Sequence, residues 1–154
     1  PISWPGIDPA NHPADGKPRS YIANYWNDYF SANLTPLELT NYLNGLLTNA
    51  VMKEMNIPNP SGTVVIGEKM TDSYHYHLDL LEYEPGTPLQ GNDLFQLDRS
   101  RHGGNGQKNS ATGGSNYSYA DGSIRFAKSA AILWPENQWA LTAASRKLYA
   151  VQAQ

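Results

Sequence analysis

The sequence predicts an α+β fold, an antiparallel sheet packed against helix with much of the chain in loops. Three observations predict it: Thr35-Pro36-Leu37-Glu38 is a helix start, Thr63-Val64-Val65-Ile66-Gly67 is a β-branched run, and Tyr117 to Phe126 reads as strand, Asp-Gly turn, strand. The helix precedes the strands instead of alternating with them, as βαβ units would require. A length of 154 residues with 40% hydrophobic residues suits a single domain, 1–154, with one core.

Pro5-Gly6, Asp8-Pro9 and Asp15-Gly16 follow one another closely, so residues 1–18 are expected to run extended or turning along the surface. Arg19 to Phe30 gathers Tyr21, Tyr25, Trp26, Tyr29 and Phe30. Such aromatics bury large areas while their polar tips seek partners, so a core-facing segment and a ligand platform are the two readings. At the helix start Thr35 can cap, Pro36 suits the first helical position and Glu38 can close a capping box. Leu39, Tyr42, Leu43, Leu46, Leu47, Ala50, Val51 and Met55 then recur at helical spacing. This extends the predicted helix over 35–56, with its apolar stripe on the sheet.

Thr63–Gly67 reads as a central strand buried on both faces. Ser73 to Glu84 fits a helix and a strand equally well. Gly103 to Asn116 is rich in Gly, Asn and Ser and is expected to be a mobile loop, too polar to bury a core. With Asp121-Gly122 as a two-residue turn, Tyr119 opposes Ile124 and Tyr117 opposes Phe126 on the core face. Ser118 and Arg125 then share the other face. Trp134-Pro135-Glu136-Asn137-Gln138-Trp139 is a proline-broken aromatic segment, and 143–154 reads as a short helix or a frayed tail.

Charged residues make up only 16% of the chain and the net charge is −3, so the basic field that drives nucleic-acid affinity is absent. No run reaches the roughly 18 apolar residues of a membrane span, and the opening residues do not resemble a signal peptide. The absence of cysteine removes disulfides, thiolate zinc sites and thiol nucleophiles. Gly 13, Pro 11 and Tyr 10 beside few charges lean toward a loop-rich secreted or surface domain.

Candidate chemistry is sparse. His75 and His77 would share a strand face, with Asp72, Asp79 or Glu68 available to complete a metal shell, but no third ligand is fixed by spacing and a surface histidine pair is the ordinary alternative. Asp121, Asp93 and Asp98, with carbonyls around 113–116, could hold calcium; the plainer reading is that Asp121 makes the turn. Glu68, Asp72, Asp79, Glu82 and Glu84 offer carboxylate pairs that only spatial separation could judge. No Gly-x-Ser-x-Gly elbow occurs, and Gly103-Gly104-x-Gly106 lacks the strand and helix that a phosphate cradle needs. Trp4, Trp26, Trp134, Trp139, Tyr74 and Tyr76 are candidate platforms for sugar rings or protein partners.

Arg101-His102-Gly103-Gly104, then Asn116 to Ser123, then Trp134 to Trp139 resemble the C-terminal part of the pilin- or pseudopilin-like proteins that carry the prepilin-type "H-X9-DG" motif. Arg19 to Asn24 is similar to that family's "SYxxN" segment, and Val64 to Glu68 resembles its mid-domain strand ending in Glu. The landmarks cover most of residues 19–139. His102 and Asp121 stand more than nine residues apart here, with the Gly/Asn/Ser loop as an insertion between them.

The resemblance implies a pilin-like head in which Glu68, His102, Asn116, Tyr117, Asp121 and Gly122 are structural motif residues. It implies no catalysis and no cofactor beyond the calcium considered above. The expected function is a structural subunit of a type IV pilus or type II secretion-like pseudopilus, extracellular or in the cell envelope. Its partners would be other subunits, joined through a long apolar helix that nothing before Pro1 supplies and that would be its sole membrane contact; polysaccharide or a secreted protein are further candidate ligands. A carbohydrate-binding surface module is the alternative, and a metal-dependent hydrolase built on His75 and His77 is a third.

Overall fold

The computed structural model describes residues 19–44, 46–47, 49–81, 92–104 and 112–151. Expectations for 1–18, including Trp4, for Glu82 and Glu84, and for the centre of the 103–116 loop lie outside the described residues. The chain is α+β. Strands β1 (Tyr21–Asn24), β2 (Val64–Glu68), β3 (His77–Leu78), β4 (Gly114–Tyr119) and β5 (Ile124–Lys128) form one sheet in the order β3-β1-β2-β4-β5. The sheet is mixed and not purely antiparallel, because β3 pairs with β1 in parallel. Helices α1 (Asn27–Asn33), α2 (Pro36–Leu43) and α3 (Ala143–Leu148) are short.

α2 starts as the sequence predicts. The Thr35 hydroxyl accepts from the Glu38 amide, and the Glu38 carboxylate accepts from the Thr35 amide at 2.9 Å. It stops thirteen residues before Asn56, however, with Asn44, a turn-forming residue, as its C-cap. Of that stripe only Tyr42 is buried, its ring 4.4 Å from Phe30 and 5.0 Å from Tyr25. Leu46, Val51 and Met55 are exposed instead of resting on the sheet.

β2 is central, between β1 and β4. It is not buried on both faces: the register shifts between Val64 and Ile66, and Ile66 turns outward. Within 73–84 the described part is mostly irregular and includes the two-residue β3. β4 begins at Gly114, so the C-terminal end of the expected 103–116 loop is strand.

The hairpin has a different register from the expected one. The Tyr119 amide donates to the Ser123 carbonyl at 2.9 Å and the Gly122 amide to the Tyr119 carbonyl at 3.0 Å, so three residues, Ala120 to Gly122, form the loop. Gly122 sits at φ 81°, the left-handed position that such a loop reserves for glycine. Tyr117 therefore faces Arg125, and Asn116 faces Phe126. A one-residue slip moves a strand's whole apolar set to the other face. Tyr117 and Tyr119 keep to the core while Ile124 and Phe126, 76% and 57% exposed, lie on the outer face.

The core lies on the inner face, where Ile22, Val64 and Tyr117 meet Leu133 and Trp139. Buried polar side chains fasten the C-terminal segment to it. Asn24 donates to the carbonyls of Val64 and Trp139 at 2.9 and 2.7 Å, and the Asp28 carboxylate accepts from the amides of Leu141 and Thr142 at 2.8 and 3.0 Å. Thr142 then caps α3, accepting from the Ser145 amide at 3.1 Å. No helix among the described residues is long and apolar enough to cross a membrane.

Candidate functional site

The outer face of the sheet gathers residues that are far apart in the chain. Alternation along β1 and β2 turns Tyr21, Ile66 and Glu68 to this face, and pairing brings Ser118 beside Ile66 and Phe126 beside Asn116. His102 joins them through a backbone bridge, its amide donating to the Gly114 carbonyl at 2.9 Å and its carbonyl accepting from the Gly114 amide at 3.0 Å. An open depression of about 280 Å³ is lined by Tyr21, Ile66, Asn116, Tyr117, Ser118 and Ile124.

Three motif residues form one cluster here. Glu68 is buried, and its Oε2 accepts from the Asn116 amide at 2.9 Å while its Oε1 lies 3.1 Å from Nε2 of the half-exposed His102. The same Nε2 is 3.1 Å from Nδ2 of Asn116. Arg101 adds positive charge: its Nε is 3.8 Å from Glu68 and 3.4 Å from Asp98, and its Nη2 donates to the Lys69 carbonyl. The Ser115 hydroxyl accepts from the Arg101 amide at 3.2 Å and donates to the Asp98 carbonyl. Next to Glu68, the buried Lys69 ammonium donates to the Ser73 carbonyl at 2.7 Å, and burial pulls its pKa below the usual lysine value. The chemistry of the cluster is fastening: one carboxylate and one imidazole tie the 98–102 segment to β2 and β4. Ser115, the hydroxyl beside it, is occupied on both sides by backbone.

The remaining motif residues lie elsewhere. Tyr117 is in the core, where burial raises its pKa. Asp121 and Gly122 are beyond the far end of β4 from His102, so the structure does not bring His102 and Asp121 together. Both oxygens of Asp121 have partners: Oδ1 accepts from the Ser123 amide and hydroxyl at 2.9 and 2.6 Å, and Oδ2 is 2.8 Å from Arg125. Asp121 makes the turn, with its pKa lowered chiefly by the Ser123 hydroxyl. Asp93 contacts His75 at 2.9 Å and accepts from the Asp79 amide at 2.8 Å. The His77 ring lies against that of Tyr25, centres 4.2 Å apart and tilted by 33°. Among the described residues no group of three or more His, Cys, Asp or Glu forms a metal shell.

The candidate aromatic platforms divide in the same way. Trp139 is fully buried, edge-on to Tyr117 at 6.4 Å, and cannot meet a ligand. Trp26 is half-buried at the start of α1 with φ 62°. Tyr76 is half-buried beneath Arg19, whose guanidinium lies 4.9 Å from its ring centre. Tyr74 and Trp134 are exposed. Sequence reasoning singled out neither Arg101 as a partner of Glu68 nor Arg146, which is buried in α3; Arg101 adjoins the His102 motif, whereas no local pattern marks Arg146.

Comparison of the chain with protein-family models, with curated proteins and with solved structures found no match.

Proposed function

We propose that this chain is the globular head of a pilin- or pseudopilin-like filament subunit, acting through assembly and surface contacts and not through catalysis. One observation carries the reading. Tyr21, Ile66, Ile124 and Phe126 stay exposed together on the outer sheet face, beside a Glu68–His102–Asn116 cluster that holds that face in shape. Large apolar side chains grouped on a rigid surface favour contact with another protein surface. The order of the sequence landmarks supports a filament as the setting, and the convergence of three landmark residues on one cluster gives them a common structural role.

The test is immunogold labelling of surface structures sheared from the source cells, with N-terminal sequencing of the labelled protein. Labelled filaments whose subunit begins with a long apolar helix are expected. Labelling confined to free, monomeric protein would overturn the proposal.

A further inference from the structure

β5 is the last strand in the sheet order, so its far edge meets no further strand among the described residues. Its bonds to β4 fix the direction of each backbone group. The Tyr119 amide donates to the Ser123 carbonyl at 2.9 Å and the Ser129 amide to the Gly113 carbonyl at 3.0 Å. Bonded pairs alternate along an antiparallel ladder, so Arg125 and Ala127 also turn their backbone groups toward β4. Ile124, Phe126 and Lys128 therefore turn theirs to the open edge. Among the described residues no group bonds to the outward amides and carbonyls of Ile124 and Phe126, whereas the Lys128 carbonyl accepts from the Ala131 amide at 2.9 Å.

Sheet edges are normally blunted by proline, by a bulge or by charge. β5 has no proline and joins β4 through five consecutive pairs without a register shift. Its lysine, Lys128, stands at the strand's end, and Arg125 is turned to Asp121 at 2.8 Å and to the Ser61 carbonyl at 2.7 Å. Ile124 and Phe126 lie exposed along the edge, with Tyr21 and Ile66 further in on the same face. An open edge with two large apolar side chains is a template for another strand.

The edge is complementary to itself. In an antiparallel pairing of two β5 strands centred on Phe126, outward backbone groups meet outward backbone groups and the whole strand overlaps. The two Phe126 rings meet on the axis, Ile124 opposes the aliphatic stem of Lys128, and Arg125 opposes Ala127, so no like charges stand directly opposite. A register centred on Lys128 would set two ammonium groups together, and one centred on Ile124 would run into the 120–122 loop. We propose that this chain forms a twofold dimer by pairing β5 with β5 of a second copy about Phe126, which joins the two sheets with their apolar outer faces on one side. The pairing rests on the outer face being a protein contact but needs no filament, so solution assembly and filament labelling can fail separately.

The test is sedimentation equilibrium of the full chain from micromolar to millimolar concentration, with amide hydrogen exchange read by NMR. A dimer that grows with concentration is expected. The Ile124, Phe126 and Lys128 amides should gain protection with it, while those of Arg125 and Ala127 are protected throughout by β4. Phe126→Lys sets two ammonium groups against each other on the axis and is expected to weaken association at least about tenfold. Phe126→Glu should do the same, and an equimolar mixture of the two variants should restore the dimer, because this register places position 126 against itself. Ile124→Lys, opposite Lys128, should weaken association in the same way and guards against a folding defect in the Phe126 variants. Phe95→Lys, at an exposed ring outside the sheet, should leave it unchanged. A chain that stays monomeric throughout overturns the proposal and leaves the edge to a strand of another protein. Association untouched by the Phe126 and Ile124 variants, protection at Phe126 that ignores concentration, or a mixture no better than its components would also overturn it.

Discussion

Nε2 of His102 lies 3.1 Å from a Glu68 oxygen and 3.1 Å from the Asn116 side-chain nitrogen, one ring atom between an acceptor and a donor. It can satisfy only one of them at a time: it donates to Glu68 when it carries a proton and accepts from Asn116 when it does not. Glu68 is the buried member and is expected to dominate the energetics. We predict that Glu68→Gln costs about 1–3 kcal/mol in urea unfolding, since a buried charge-assisted bond is replaced by a neutral one. His102→Ala should cost less. In a double-mutant cycle the two should show a coupling of about 0.5–3 kcal/mol, whereas strict additivity would mean that the contact is incidental.

Gly67 sits in β2 where two buried rings close over the backbone. A Cβ at this position would lie 2.7 Å from Cζ2 of Trp139 and 2.7 Å from Cδ1 of Tyr117. Both rings are fully buried, so one of them or the β2 backbone must shift to admit a Cβ. Gly67→Ala is therefore predicted to destabilise by about 1–3 kcal/mol, the usual range for overpacking a core. Thermal unfolding of the variant checks this, and an unchanged midpoint would show that the Trp139 ring shifts freely.

Trp26 enters α1 at φ 62°, a conformation that costs a side chain with a Cβ roughly 1–2 kcal/mol. The strain is held by Asn24, whose side-chain oxygen accepts from the Trp26 amide at 2.9 Å while its nitrogen binds two carbonyls. Trp26→Gly and Trp26→Ala lose the same indole, so their difference isolates the backbone. The glycine variant is predicted to be the more stable by about 1 kcal/mol in urea unfolding. If alanine equals glycine, the left-handed conformation is not maintained in solution.

The parts legible in the sequence were those written in local chemistry: the Thr35–Glu38 cap, the β-branched β2 and the existence of the 117–126 hairpin all appear where spacing places them. The hairpin register was not legible, because Asp-Gly serves two-residue and three-residue loops alike and only the bonds at Tyr119 decide between them. The length of α2 misled for a related reason, since periodicity carried the stripe past a stop signal. The site was half legible. Glu68, His102 and Asn116 could be named one by one, but their meeting depends on a β2–β4 pairing across 48 residues. Arg146 carries no local signal, since the Gly62 carbonyl and Thr63 hydroxyl that it binds lie 84 and 83 residues away in the chain.

Tyr117 links the core to alkaline stability. Its hydroxyl is buried with no hydrogen-bond partner among the described residues. Burial is the largest influence on its pKa and raises it, with Arg99 opposing. A tyrosine whose folded pKa exceeds the unfolded value near 10 contributes full stability below that pH. Above it the unfolded chain ionises first, and stability falls as pH rises toward the folded value. Tyr42, also raised chiefly by burial, acts in the same direction. Tyr117→Phe removes an unpaired buried hydroxyl and this proton linkage together. It is predicted to be neutral or stabilising by about 1 kcal/mol at pH 7. Between pH 10 and 11 it should lose less stability than the parent chain. Urea unfolding at both pH values is the check; a parallel loss in both proteins would mean that the Tyr117 hydroxyl is solvated in the folded state.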